Sequence, residues 1–291
     1  MTTVKNYLSL VKFSHTIFAM PFAMIGFFAG VMKTGHGFSW VKLLLVITCM
    51  ISARSAAMAF NRWLDARFDA LNPRTAIREI PAGIISRNSA LWFVVISSAL
   101  FLLASGLINP LCLSLSPVAL FVVLFYSYTK RFTALCHLVL GLGLSLAPIG
   151  AYLAVTGTFA WLPILFSFAV VFWVSGFDVI YALQDEHFDR SQQLHSMPAS
   201  FGVVRALRIS EGLHLLSAAS VVAAGIRGHF GILYWIGVAF FVAMLIMQHA
   251  VVKPKDLSRV NLAFMTTNGI ASVVFSVFAL VDMFVFRTPV I

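Results

Sequence analysis

Apolar residues run along this chain in stretches close to 20 long, each broken by a short polar cluster. Polarity does not alternate within the stretches, as it would in the strands of a membrane β-barrel. Their length is what an α-helix needs to cross about 30 Å of hydrocarbon. The pattern predicts nine spans, near 8–32, 40–64, 90–108, 111–128, 134–155, 160–182, 202–225, 230–251 and 261–285. Gly35, Gly37, Asn109-Pro110, Gly157 and Gly228 supply the breaks on one side of the membrane. Loops on the other side are longer and more charged. Pro21 and Pro148 are expected to kink their spans, either beside a cavity or as ordinary packing kinks.

Composition agrees with burial in lipid. Sixty per cent of the 291 residues are apolar and a tenth are charged, against about a quarter charged in soluble domains. The chain reads as an all-α polytopic membrane protein of one domain spanning 1–291. Cys49, Cys112 and Cys136 lie in or near apolar segments without CxxC spacing. They read as small buried residues, with no metal or disulfide role. The N-terminus runs into a span with no small-residue cleavage site, so a cleaved signal peptide is not expected.

The net charge of +10 sets orientation rather than nucleic-acid binding. Fifteen of the twenty Lys and Arg residues fall on the N-terminus and the loops after even-numbered spans. Four, Lys33, Lys42, Arg227 and Arg287, fall on the opposite side, and Arg54 lies inside the second span. This bias puts the N-terminus and charged loops in the cytoplasm. The same loops create an anion-attracting field.

Acidic residues number only ten, and seven of them cluster in two segments. The first is Asn61-Arg-Trp-Leu-Asp65-Ala-Arg-Phe-Asp69, followed by Asn72-Pro73-Arg74 and Arg78-Glu79. The second runs from Asp178 through Tyr181, Gln184, Asp185, Glu186 and His187 to Asp189. At about 100° per residue, Asn61, Asp65 and Asp69 fall within about 80° on a continuous helix. Asp178, Asp185 and Asp189 fall within about 40°. Glu79 and Glu186 fall off these stripes and read as solvated.

Acids at bilayer depth cost on the order of 3 kcal/mol each, and a column of them repels itself. Mg²⁺ relieves both costs, since it prefers hard oxygens and completes its shell with waters and substrate phosphates. Arg74, Arg78, Lys130 and Arg131 would meet the remaining phosphate oxygens. Such a mouth, opening into an apolar bundle, suits a prenyl diphosphate. The tail enters the bundle, and the allylic carbocation needs a dry pocket with electron-rich walls. Tyr126, Tyr128 and Tyr181 sit near the charged ends and are the candidate ring stabilisers.

At these residues the chain resembles the UbiA superfamily of intramembrane prenyltransferases. The segments that carry the resemblance are Asn61…Asp65…Asp69, Arg74 with Arg78-Glu-Ile-Pro81-Ala-Gly83, Tyr126…Lys130-Arg131, and Asp178…Tyr181-Ala-Leu-Gln184-Asp185…Asp189. The opening Lys12-Phe-Ser-His15 through Pro21-Phe is similar to the 4-hydroxybenzoate polyprenyltransferase branch. The resemblance implies nine helices in two bundles around a central cavity, and a product that feeds ubiquinone or menaquinone synthesis in a bacterial inner membrane. It implies Mg²⁺ on Asn61, Asp65, Asp69, Asp178, Asp185 and Asp189. Catalysis would turn on Asp65, Asp69, Asp185, Asp189 and Arg54, with Arg54 facing the aromatic carboxylate. Diphosphate would meet Arg74, Arg78, Lys130 or Arg131. The chain departs from the family pattern at Arg62, where many members have Asp, and at His195, where many have Lys. His195 is expected either to replace that diphosphate contact or to mark its loss. His15 reads as an interhelical hydrogen-bonding residue.

Three rival readings share some of these features. Another acceptor, such as dihydroxynaphthoate, homogentisate or a haem, would keep the chemistry. An ion-coupled transporter also carries intramembrane acids and broken helices, but its acids lie near the midplane. An alcohol phosphotransferase uses Asp and metal, but from a single motif.

Overall fold

The computed structural model describes residues 2–11, 18–35, 37–254 and 256–286. His15, Lys12, Lys255 and Arg287 lie outside them. The helices are α1 (Thr2–Leu10), α2 (Met20–Thr34), α3 (Trp40–Leu64), α4 (Ala66–Leu71), α5 (Arg87–Ile108), α6 (Pro110–Thr129), α7 (Cys136–Thr156) and α8 (Trp161–Ala182). They continue as α9 (Glu186–Ser191), α10 (Met197–Phe201), α11 (Val203–Arg227), α12 (Ile232–Val251) and α13 (Asn268–Phe286).

Among the described residues, eight helices are long and apolar enough to cross a membrane, and Met20–Thr34 is a shorter apolar helix. The chain is an integral membrane protein. The second to eighth expected spans are found within three residues of their expected ends. The first, expected over 8–32, is not one helix. Val11, Phe18 and Ala19 lie in turns, and α2 begins only at Met20. Pro21 therefore does not kink a span. It sits in the first turn of α2, where the missing N–H has no helical partner to lose.

Local chemistry sets the ends. The side chains of Ser39, Ser86 and Asn109 accept backbone N–H groups at the starts of α3, α5 and α6. Gly157 closes α7 at φ 65°, a conformation that favours glycine. The start of α12 is capped from a distance. Asp282 of α13 is fully buried and accepts the N–H groups of Gly231 at 2.7 Å and Tyr234 at 3.1 Å. A carboxylate at a helix N-terminus also meets the positive end of the dipole.

The last span opens with a π-helical turn, Leu262–Thr267. Such a turn frees backbone carbonyls that must be satisfied inside a membrane. The Asn268 side chain donates to the carbonyls of Ala263 and Phe264, and accepts from Trp173 and Gln248.

Neighbours in sequence pack as neighbours in space, α3 on α5, α7 on α8, α8 on α11 and α12 on α13, with α2 lying against both α7 and α13. The largest core cluster joins α2, α8, α12 and α13 through Phe22, Trp173, Phe241 and Phe275. On the other side, α3, α5, α6 and α7 line a cavity of about 390 Å³.

Candidate functional site

The first acidic segment is not one helix. Asp65 ends α3 at φ −88°, ψ 5°, and α4 carries Asp69. The second breaks likewise, with a 3₁₀ turn at Leu183–Asp185 between α8 and α9. The expected straight columns of oxygens are therefore bent, and tertiary contacts orient the acids.

Asp65 is 2% exposed. Arg131 reaches its Oδ1 at 2.8 Å and Lys130 its Oδ2 at 3.1 Å, while Asn61 donates to it at 3.3 Å. Asp69 is also buried and takes Arg78 on Oδ1 at 2.6 Å. Arg62, buried beside it, approaches Oδ2 at 3.9 Å. The arginine that departs from the family pattern is thus a counter-charge inside the first acidic segment.

The two segments meet at Asp185. Asn72 donates to its Oδ1 at 3.0 Å, Arg74 Nε to the same oxygen at 3.0 Å, and Arg74 Nη2 pairs closely with Oδ2. Arg74 also donates to the Tyr181 hydroxyl at 2.9 Å. Burial alone would lower the Arg74 pKa, and the bonds to Asp185 and Tyr181 outweigh it, so the guanidinium lies above its ordinary value. Lys130 is raised for the same balance, burial lowering it and Asp65 and Asp189 outweighing burial.

Asp178 pairs with His137, Nδ1 to Oδ2 at 2.7 Å. Asp189 is buried near Lys130 and Ser196. His195 enters through its backbone, its N–H donating to the Lys130 carbonyl at 2.6 Å. Its side chain is exposed in a surface hollow shared with Arg131 and Arg190.

Two expectations of solvent exposure fail. Glu79 is buried, not solvated, and accepts from Ser9 at 2.5 Å. Glu186 is buried and pairs with Arg190 at 2.8 Å. Off-stripe position on an ideal helix does not predict exposure when the loop folds back. The three cysteines are half-buried free thiols.

Arg54 and Tyr126 stand apart from the acids. Both line the 390 Å³ cavity, whose other walls include Val46, Met50, Leu115 and Leu144. Tyr128 is largely exposed on the outside of α6, with its ring against Arg131, so it does not line the cavity.

Among the described residues, no three His, Cys, Asp or Glu side chains converge as a ready-made metal cluster. Asp65, Asp69 and Asp185 are held by arginine and lysine instead, and Asp178 by His137. The donor set is nonetheless hard oxygen, and Asp69 Oδ2 is buried without a hydrogen-bond partner. Those two features fit an oxygen-seeking divalent cation.

Sequence reasoning missed His137 and Asn72. Asn72 stood inside the first segment, and its Asn-Pro-Arg spacing was the available signal. His137 carried no local signal, because its partners come from α8 and α10.

The family model described as the UbiA prenyltransferase family matches residues 19–270. The 4-hydroxybenzoate octaprenyltransferase of Nitrosomonas europaea is 33% identical over 240 residues, 80% of each chain. The apo structure of a UbiA homologue from Aeropyrum pernix K1 is 29% identical, with TM-score 0.79 over 94% of this chain and 98% of the other. A UbiA homologue from Archaeoglobus fulgidus, bound to DMAPP and Mg²⁺, shares the fold at 21% identity, with TM-score 0.76 over 96% and 99%.

Proposed function

From the premise that this chain belongs to the UbiA prenyltransferase family and is a prenyltransferase, we propose that it transfers a polyprenyl group from its diphosphate to the ring of 4-hydroxybenzoate, in quinone synthesis at a bacterial inner membrane. The name of the Nitrosomonas europaea relative supports this acceptor, and the loop charges support a cytoplasmic mouth.

One observation carries the choice of a small aromatic acid. Among the described residues, Arg54 is the one charged side chain lining a largely apolar cavity, and its Nε is buried without a hydrogen-bond partner. A guanidinium inside a membrane helix costs about 3 kcal/mol. A carboxylate on the acceptor offsets that cost through a charge-assisted, bidentate contact.

The contacts of the mouth support the remaining roles. Arg74, Arg78, Lys130 and Arg131 take the diphosphate oxygens, leaving their carboxylate partners as they do so. Asn61, Asp65, Asp69, Asp178, Asp185 and Asp189 would hold Mg²⁺, which would supply charge neutralisation for the diphosphate leaving group. The cavity walls between α3, α5, α6 and α7 keep water from the allylic cation. Tyr181, under the guanidinium of Arg74, and Tyr126, in the cavity wall, flank its path. The acceptor ring then attacks the cation and loses a proton.

The test is turnover by detergent-solubilised protein given Mg²⁺, a polyprenyl diphosphate and 4-hydroxybenzoate, with mass detection. Prenylated 4-hydroxybenzoate is the expected product. Product only with dihydroxynaphthoate would keep prenyl transfer and remove the acceptor. No product with any aromatic acid, in folded protein, would overturn the reading.

A further inference from the structure

We propose that His137 is a positioning residue for Asp178, held in one tautomer by the backbone N–H of Met197. The inference rests on Asp178 being an oxygen ligand of the second acidic segment.

His137 lies in the first turn of α7 and is 3% exposed. Its Nε2 accepts the Met197 N–H at 3.2 Å. An amide N–H only donates, so Nε2 carries the lone pair. The proton of the neutral ring is then on Nδ1, which donates to Asp178 Oδ2 at 2.7 Å. Met197 opens α10, where a helix-start amide has no partner of its own. The histidine therefore satisfies a stranded donor on one side and aims a carboxylate on the other.

The backbone of His137 is fixed as well, with Ser175 Oγ donating to its carbonyl at 3.1 Å. Ser175 fits there because Gly141, one turn along α7, has no side chain in the way. Asp178 keeps a 22% exposed side chain, so one face of the carboxylate stays open while the other is held.

The same loop braces the rest of the site. The Leu194 N–H donates to the Asp189 carbonyl at 2.8 Å, and the His195 N–H to the Lys130 carbonyl at 2.6 Å. Ser196 contacts the Asp189 carboxylate. Residues 194–197 thus tie Lys130, Asp189 and, through His137, Asp178 into one body. A carboxylate fixed this way needs less ordering when a cation arrives, and such outer partners typically account for 10–100-fold in metal affinity.

The experiment titrates purified, detergent-solubilised protein with Mn²⁺ and counts the free ion by electron paramagnetic resonance. His137→Phe should weaken Mn²⁺ binding about tenfold. His137→Asn keeps an N–H donor on Cγ, where Nδ1 meets Asp178, and should bind close to the wild type. His137→Gln carries its amide one carbon further out, on the Met197 side, and should bind as weakly as His137→Phe; it carries the comparison if His137→Phe does not fold. Wild-type affinity in both His137→Phe and His137→Gln would overturn the proposal, as would failure of folded His137→Asn to restore binding. A wild-type protein that binds no Mn²⁺ would remove the ligand reading of Asp178 itself, and this inference with it.

Discussion

Arg74 and Asp185 lie 111 residues apart in sequence and meet through two guanidinium nitrogens on two carboxylate oxygens. This contact, with Asn72 beside it, joins the two acidic segments into one mouth. Bidentate geometry is open to arginine and closed to lysine. Arg74→Lys should therefore keep charge yet raise the KM for prenyl diphosphate, and Arg74→Ala should raise it by roughly tenfold or more, since a hydrogen bond to a charged group contributes about 1.5–3 kcal/mol. Steady-state kinetics with donor and acceptor varied separately would check this. An unchanged donor KM in Arg74→Ala would refute it.

Asp65→Asn and Asp185→Asn should abolish turnover while the protein still inserts and elutes as the wild type does. Each carboxylate is already matched to basic partners, so neutralising it removes charge without emptying space. EDTA should stop the wild-type reaction and added Mg²⁺ restore it. Full activity in either variant would remove the metal assignment.

Arg54→Ala should raise the KM for the aromatic acid at least tenfold and leave the donor KM nearly unchanged, because Arg54 lines the cavity and pairs with none of the acids of the mouth. Equal effects on both substrates would reject its role as the carboxylate's partner.

Lys130 should make donor binding insensitive to pH across the neutral range. Its pKa is raised, with Asp65 and Asp189 outweighing the lowering by burial. A raised ammonium gives its stabilisation in full below the unfolded value of about 10.4, and loses it only as pH climbs through the folded value. Lys130→His would bring the titration down toward about pH 6.5. In that variant the donor KM should rise between about pH 6 and 8, where the wild-type value stays flat. A flat profile in Lys130→His would show that this side chain does not carry the contact.

Gly26→Ala should lower the thermal midpoint without changing which substrates are used. A β-carbon there would strike the Pro148 carbonyl of α7, and such overpacking costs about 1–3 kcal/mol. Thermal unfolding followed by fluorescence in detergent would measure it. A midpoint equal to the wild type would mean that α2 and α7 can separate freely.

What the chain by itself determined is the set of spans after the first, and the membership of the acidic segments. Span length is a local property, because hydrocarbon has one thickness and a helix one rise per residue. Concentration of acids in an apolar chain is local too, since each one costs energy unless it has a task. Direction was not local. Ideal helical spacing aligned Asp65 with Asp69 and Asp185 with Asp189, but α3 ends at Leu64 and α8 at Ala182. Only tertiary structure decided that Arg74 reaches Asp185, that Arg62 and Glu79 are buried, that Arg54 faces the cavity, and that His137 serves Asp178. Each of those facts depends on two segments far apart in sequence meeting at a few ångströms, and no spacing within either segment encodes the other's position.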